Sequence, residues 1–96
     1  MLFVIRNIDK PNTSELRAAN RAAHLAYLDR IAGQLKLAGP FLAEDGETMT
    51  GSLWIVEAAD KTAALRLATE DPYAEAGLFE RQTATRWRHA RGVKIE

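Results

Sequence analysis

The stretch Arg21-Ala22-Ala23-His24-Leu25-Ala26-Tyr27-Leu28 decides how the rest of the chain is read. Apolar or small residues recur at Leu16, Ala19, Ala23, Leu28, Ile31 and Leu35, close to the spacing of one helix face, so the stretch lies inside a long helix. His24 falls on the edge of that face, one turn after Asn20 and one turn before Leu28, and aims a titratable ring at or near the interior. From the helix alone, the simpler reading is a partly buried histidine whose ring nitrogens find ordinary hydrogen-bond partners.

Upstream, Leu2 to Ile8 is short, apolar and β-prone and reads as a strand. Asp9-Lys10-Pro11-Asn12 is a turn. Asn12 or Thr13 can cap the helix, and Asn12 with Glu15 has the spacing of a capping box. The helix is expected to run to about Ala32, with Gly33 as a left-handed cap. Downstream, Leu35 to Leu42 reads as a second strand interrupted by Gly39-Pro40. Proline cannot donate to a ladder, so this strand is expected to bend or lie at a sheet edge.

Glu44-Asp45-Gly46-Glu47 is a hairpin turn. Gly51 to Ala58 is a third strand, and its unbroken Trp54-Ile55-Val56 run points to burial on both faces. Asp60 caps a second helix with an apolar stripe at Ala64, Leu65 and Ala68, ending near Glu70. Asp71-Pro72-Tyr73 opens a short helix with Pro72 at its first position, and Gly77 closes it. Phe79 to His89 is the last long strand.

The order β-α-β-β-α-β is that of the ferredoxin-like split βαβ fold, an α+β class with two helices on one face of an antiparallel sheet. It makes residues 1–96 one domain. Nothing in one chain covers the opposite sheet face. Two such sheets can cover each other, so a homodimer is expected.

Composition narrows the function. The 96 residues are 47% hydrophobic and 27% charged, a globular balance with room for one modest core. Thirteen basic and thirteen acidic residues cancel, so no global attraction draws the chain to nucleic acid or an anionic membrane. Arg81, Arg86, Arg88, Arg91 and Lys94 form a basic run that reads as a solvated strand face, with a phosphate-binding patch as the alternative. The absence of cysteine excludes disulfides, thiol nucleophiles and thiolate metal sites. The four apolar residues before Arg6 make neither a signal peptide nor a membrane span, so a cytoplasmic location is expected. Two histidines without helical ligand spacing argue against a metal, and no glycine-rich phosphate loop is present. No cofactor is expected.

Candidate chemistry lies at His24, at Gly39-Pro40, at Thr50-Gly51-Ser52 and at Asp71-Pro72-Tyr73. A carboxylate beside an imidazole fixes its tautomer and raises its basicity, and Asp71 can do this for His24. From the residues alone, the simpler reading of Asp71 is a plain N-cap that needs no function. Arg21, one turn before His24, can bind a substrate carboxylate or pair with a surface acid. Tyr73 can donate into a pocket or simply pack. Trp87 reads as interior or interface, and His89 as exposed.

The set Arg21-x-x-His24-Leu25, Ala38-Gly39-Pro40, Thr50-Gly51-Ser52 and Asp71-Pro72-Tyr73 with Gly77 resembles the YciI-like family of small dimeric α/β-barrel proteins, over nearly the whole chain. The resemblance implies a His24–Asp71 pair in a pocket of a ferredoxin-like dimer, with Ser52 nearby. It further implies acid–base chemistry on a small organic molecule, such as an elimination, lyase or isomerase step. Ser52, Arg21, Pro40 and Tyr73 are the expected substrate-binding residues. A non-catalytic module that binds a small ligand or assists a partner enzyme is the alternative.

Overall fold

The computed structural model describes residues 1–95. Its elements run Leu2–Asp9 (β1), Ser14–Ala19 (α1), Arg21–Arg30 (α2), Leu35–Leu42 (β2), Met49–Glu57 (β3), Lys61–Thr69 (α3), Pro72–Glu75 (α4) and Phe79–Trp87 (β4). The strands form one antiparallel sheet in the order β2-β3-β1-β4, the ferredoxin-like arrangement read from the sequence.

Strand alternation sorts the side chains onto two faces. On the inner face Phe3 and Ile5 of β1 pair with Val56 and Trp54 of β3, and Ile5 pairs with Ala84 of β4. These residues pack with Tyr27 and Ile31 of α2 and with Ala64 and Ala68 of α3 as the core. Ala64 and Ala68 are fully buried, and their small side chains let α3 lie close on the sheet. Asp60 caps α3 as expected, accepting from the Ala63 amide at 2.8 Å. The outer face carries Val4, Ile55, Leu53 and Leu37, placed by the register Val4↔Ile55, Leu37↔Ile55 and Arg6↔Leu53. Trp54, Ile55 and Val56 are all buried although they alternate between the faces, in line with the unbroken apolar run.

The first helix departs from its expected form. It breaks at Asn20, whose side-chain amide donates to the Leu16 carbonyl at 2.9 Å and competes with the backbone there. The Asn12–Glu15 capping box does not form. Asn12 lies at φ 59, in the left-handed region, because the turn uses it. The Thr13 hydroxyl donates back to the Lys10 carbonyl instead of accepting from the helix. Nor does Gly33 act as a left-handed cap: α2 ends at Arg30, and the Ile31 carbonyl accepts from both the Gln34 and Leu35 amides at 2.9 Å.

Gly39-Pro40 does not interrupt β2. The ladder continues through Gly39↔Leu53 and Pro40↔Ser52, and its irregularities fall at Leu35/Leu37 and Phe41/Leu42. The edge position expected for a proline-bearing strand is the one observed. The hairpin between β2 and β3 is tied by Asp45. Its carboxyl is held low, at about 2, by the Thr48 hydroxyl and then by the Glu47 and Thr48 amides. The last strand stops at Trp87, two residues short of the expected His89; Trp87 is exposed rather than interior in the single chain, and His89 is half-buried, not exposed as expected, with its ring edge-on to Trp87.

Gly51 of β3 has no room for a side chain against the β1 backbone. A Cβ there would stand 2.2 Å from the Asn7 carbonyl oxygen, a backbone atom that cannot rotate away. Gly51→Ala is therefore expected to lose about 1–3 kcal/mol of stability, as overpacked sites do, measured by urea denaturation. An unchanged midpoint would mean that the β1–β3 spacing yields freely.

Candidate active site

Asp71 is the carboxylate the site is built on. Pro72 fixes the first position of α4, and Asp71 precedes it with extended backbone as the N-cap. Its Oδ1 accepts from the Tyr73 amide at 2.9 Å. The same carboxylate receives His24 Nδ1 at 3.0 and 2.9 Å from its two oxygens. Asp71 thus both caps α4 and bonds the His24 ring. Asp71 has no solvent exposure and His24 is 9% exposed. An ionised carboxylate is only an acceptor, so Nδ1 carries the proton, and in the neutral ring the lone pair lies on Nε2. Nε2 has no hydrogen-bond partner among the described residues and is not sealed from solvent.

His24 lines a cavity of about 230 Å3 with Ser52, Pro40, Trp54, Arg17 and Arg21. An adjoining cavity of about 430 Å3 is lined by Tyr73, Arg17, Arg21, Met49 and the hairpin residues Glu47 and Thr48. Arg17, Arg21 and Met49 are common to both. The structure therefore brings His24, Asp71, Tyr73, Ser52, Pro40 and Arg21 to one region. Tyr73 is 1% exposed and stacks on the His24 ring at 4.0 Å between centroids, 14° from parallel. Ser52 Oγ accepts from Asn7 Nδ2 at 3.0 Å, and Asn7 Oδ1 in turn accepts from Gln82 Nε2 at 2.9 Å. Arg21 is exposed, lines both cavities and makes no ion pair among the described residues.

Nearby Tyr27 feels the charge. Its hydroxyl donates to the Leu67 carbonyl, and its pKa is pushed up to about 12, first by burial and then by the negative charges of Glu70 and Asp71.

Arg17 is the residue that the motif reading missed. Its Nε and Nη2 grip both Asp9 oxygens at 3.0 and 3.3 Å, and Nη2 also donates to the Gly51 carbonyl at 3.3 Å. The guanidinium lies 4.9 Å from the Tyr73 ring centroid. The 17, 21, 24 spacing was a signal for it, since steps of four and three share a helix face. Its partner Asp9 and the Asn7–Gln82 support of Ser52 depend on sheet register, which spacing does not reveal. Among the described residues no group of acids and histidines could hold a metal ion, and no helix is long and apolar enough to cross a membrane.

The fold and this paired imidazole and carboxylate define a ferredoxin-like α+β domain with a cavity beside the pair. Residues 1–88 match the YCII-related domain, and the chain belongs to that family. Protein YciI of Escherichia coli O6:H1 is 40% identical, covering 83% of this chain and 89% of that protein. An uncharacterized protein of Haemophilus influenzae is 41% identical, covering 82% and 88%. Among solved structures, the 5-chloro-2-hydroxyhydroquinone dehydrochlorinase (TftG) of Burkholderia phenoliruptrix AC1100, in complex with 2,5-dihydroxybenzoquinone, matches with a TM-score of 0.83. It is 36% identical, covering 94% of this chain and 96% of that one.

If Asp71 fixes the tautomer, Asp71→Asn should disturb it while keeping the cap, because the amide oxygen can still accept from Tyr73. The expected result is a change in the ring ¹⁵N shifts of His24, from one dominant Nδ1–H form to a mixture, with the melting temperature lowered but folding retained. Identical ring shifts in the two proteins would remove Asp71 as the orienting group.

Proposed function

We propose that this chain is a small enzyme that uses the His24–Asp71 pair for acid–base chemistry on a small organic molecule, with an elimination as the leading reaction and an isomerisation as its close relative. The observation that carries this reading is the division of the His24 ring. One nitrogen is held by a buried carboxylate and the other opens on a cavity. That is the arrangement a general base requires.

In an elimination, His24 Nε2 takes a proton from a carbon or hydroxyl of the substrate. The released electron pair moves into the substrate framework, and the leaving group departs with its bonding pair. In an isomerisation the imidazolium returns the proton at another atom. Asp71 stabilises the imidazolium between the two steps. Ser52 and Arg21 are the proposed contacts for substrate oxygens, and Pro40 shapes the wall of the cavity facing His24. The dehydrochlorinase name of TftG supports the elimination, since that family member is named for removing hydrogen chloride from a hydroxylated ring. No cofactor is needed for such a step.

The working form is proposed to be a cytoplasmic homodimer, with the outer sheet faces packed together. In support, Val4, Leu37, Leu53 and Ile55 share that face, and Leu37 is 52% exposed in the single chain.

His24→Ala is expected to lower turnover of a halogenated hydroxyhydroquinone by about 10²-fold or more, the usual contribution of a general base, with circular dichroism and light-scattering mass unchanged. Full activity in this variant would leave the chain as a ligand-binding module. For the dimer, Leu37→Glu should convert a dimer mass into a monomer mass at micromolar concentration, because it adds a charge to an interface without touching the core. A monomer mass for the unaltered protein would exclude the face-to-face pairing.

A further inference from the structure

A row of three polar side chains crosses the inner sheet face and ends at the smaller cavity. Gln82 of β4, Asn7 of β1 and Ser52 of β3 are direct cross-strand partners. Asn7 has no solvent exposure and Ser52 only 8%. Buried polar side chains that merely bond one another can be exchanged together for apolar ones at little cost, so packing alone does not call for the row. Its hydrogen bonds have a direction, which is set at the far end. Gln82 Nε2 lies 2.9 Å from the Ala68 backbone carbonyl of α3. A carbonyl only accepts, so the end of the Gln82 amide that faces it is the NH2 group. The same Nε2 lies 2.9 Å from the Asn7 side chain, which therefore turns its oxygen to Gln82. Asn7 Nδ2 is then left to donate to Ser52 Oγ, at 3.0 Å. Ser52 makes no other side-chain hydrogen bond among the described residues, and it lines the cavity with His24.

We infer that Gln82 and Asn7 are positioning residues that turn the Ser52 hydroxyl proton toward the cavity, so that a ligand has to present a hydrogen-bond acceptor at that point. A free serine hydroxyl rotates and serves donors and acceptors alike. Here the Asn7 NH2 group occupies one lone pair of Oγ and repels the hydroxyl proton. The proton points into the cavity, where it is costly unpaired and satisfied by an acceptor. The row starts on a helix backbone carbonyl, which cannot rotate to suit a ligand, so the polarity of Ser52 is set before binding. The row holds no charged group, so it selects by polarity and not by charge.

The consequence is a rule of specificity. At Ser52 the cavity favours a neutral group that only accepts, such as a ketone, ester or ether oxygen, over an N–H group that only donates. Arg17 and Arg21 also line this cavity and draw acceptors regardless of Ser52. The contribution of the row is therefore the part of the preference that disappears with the Ser52 hydroxyl. This inference rests on the reading of Ser52 as a ligand contact and is independent of whether His24 acts as a base.

The experiment titrates two probes into the full chain and follows the Ser52 and His24 backbone amides by ¹⁵N–¹H NMR. Cyclohexanone only accepts, and aniline offers N–H groups. Ser52→Ala should weaken cyclohexanone about 3–10-fold, the worth of one hydrogen bond, and leave aniline within about twofold. Gln82→Met keeps the side-chain length but frees the Asn7 amide to turn over and accept the Ser52 proton. Asn7→Leu frees the Ser52 hydroxyl to rotate. Each should weaken cyclohexanone about threefold or more, and neither should weaken it further in the Ser52→Ala background, since the row acts only through that hydroxyl. Where Asn7→Leu fails to fold, Gln82→Met decides alone. Unchanged cyclohexanone binding in Gln82→Met, with only a lowered melting temperature, makes the row structural and overturns the inference. So do additive losses in the Ser52→Ala background, or no saturable shift at Ser52 with cyclohexanone in the unaltered protein. If those results appear while His24→Ala still abolishes turnover, the positioning role fails and the acid–base reading stands. Non-additive losses with full turnover in His24→Ala support the positioning role and remove the base.

Discussion

The structure depends on keeping one fully buried carboxylate satisfied. Asp71 has no exposure to water, and an ionised group in that position is tolerable only if its oxygens are paired. Removing a partner from such a group costs about 3–5 kcal/mol. Two partners meet the requirement. The Tyr73 amide comes from the start of α4, so the chain itself aims it, and His24 Nδ1 comes from α2. The need to pair Asp71 therefore fastens α2 to α4 at the point where the cavity opens. The chain of contacts extends from there. Asp71 orients Tyr73, whose ring stacks on His24, and Arg17 lies over Tyr73 while gripping Asp9 at the end of β1.

The inner sheet face is divided along its length by register. Phe3, Ile5, Trp54, Val56 and Ala84 fill one part with apolar volume. The next inward position is polar on three adjacent strands: Asn7 of β1 faces Ser52 of β3 and Gln82 of β4 as direct partners. Buried polar groups in a row must satisfy one another, and these do, with Gln82 also donating to the Ala68 carbonyl of α3. Ser52 accepts one bond from Asn7, which leaves its hydroxyl proton free to point elsewhere, and it lines the cavity with His24. The polar row marks the boundary between the part of the sheet that stabilises the fold and the part that carries the site.

Much of this was legible in the chain because it is local. Periodicity and turn residues give the element order, Asp60 and Pro72 mark helix starts, and Pro40 marks an edge strand. The failures were also local competitions. Asn12 looked like a cap, but the turn drew it into the left-handed region, and Asn20 looked like a helical residue while its side chain competed for the Leu16 carbonyl. The meeting of His24 and Asp71 followed from the family resemblance and not from spacing. What no local rule reaches is Arg17. Its importance comes from Asp9 and Gly51, brought beside it only when α1 folds back over the end of β1 and β3 pairs with it.

The unpaired Tyr73 hydroxyl sets the remaining constraint. Phenylalanine would fill the same space, stack on His24 equally well and spare the folded chain about 1–3 kcal/mol of unmet hydrogen bonding. In a 96-residue domain whose total stability is on the order of 5–15 kcal/mol, that is a considerable sacrifice. Packing alone therefore selects against tyrosine here. Arg17 is better satisfied, since Asp9, Gly51 and the Met49 thioether between them accept from Nε, Nη2 and Nη1.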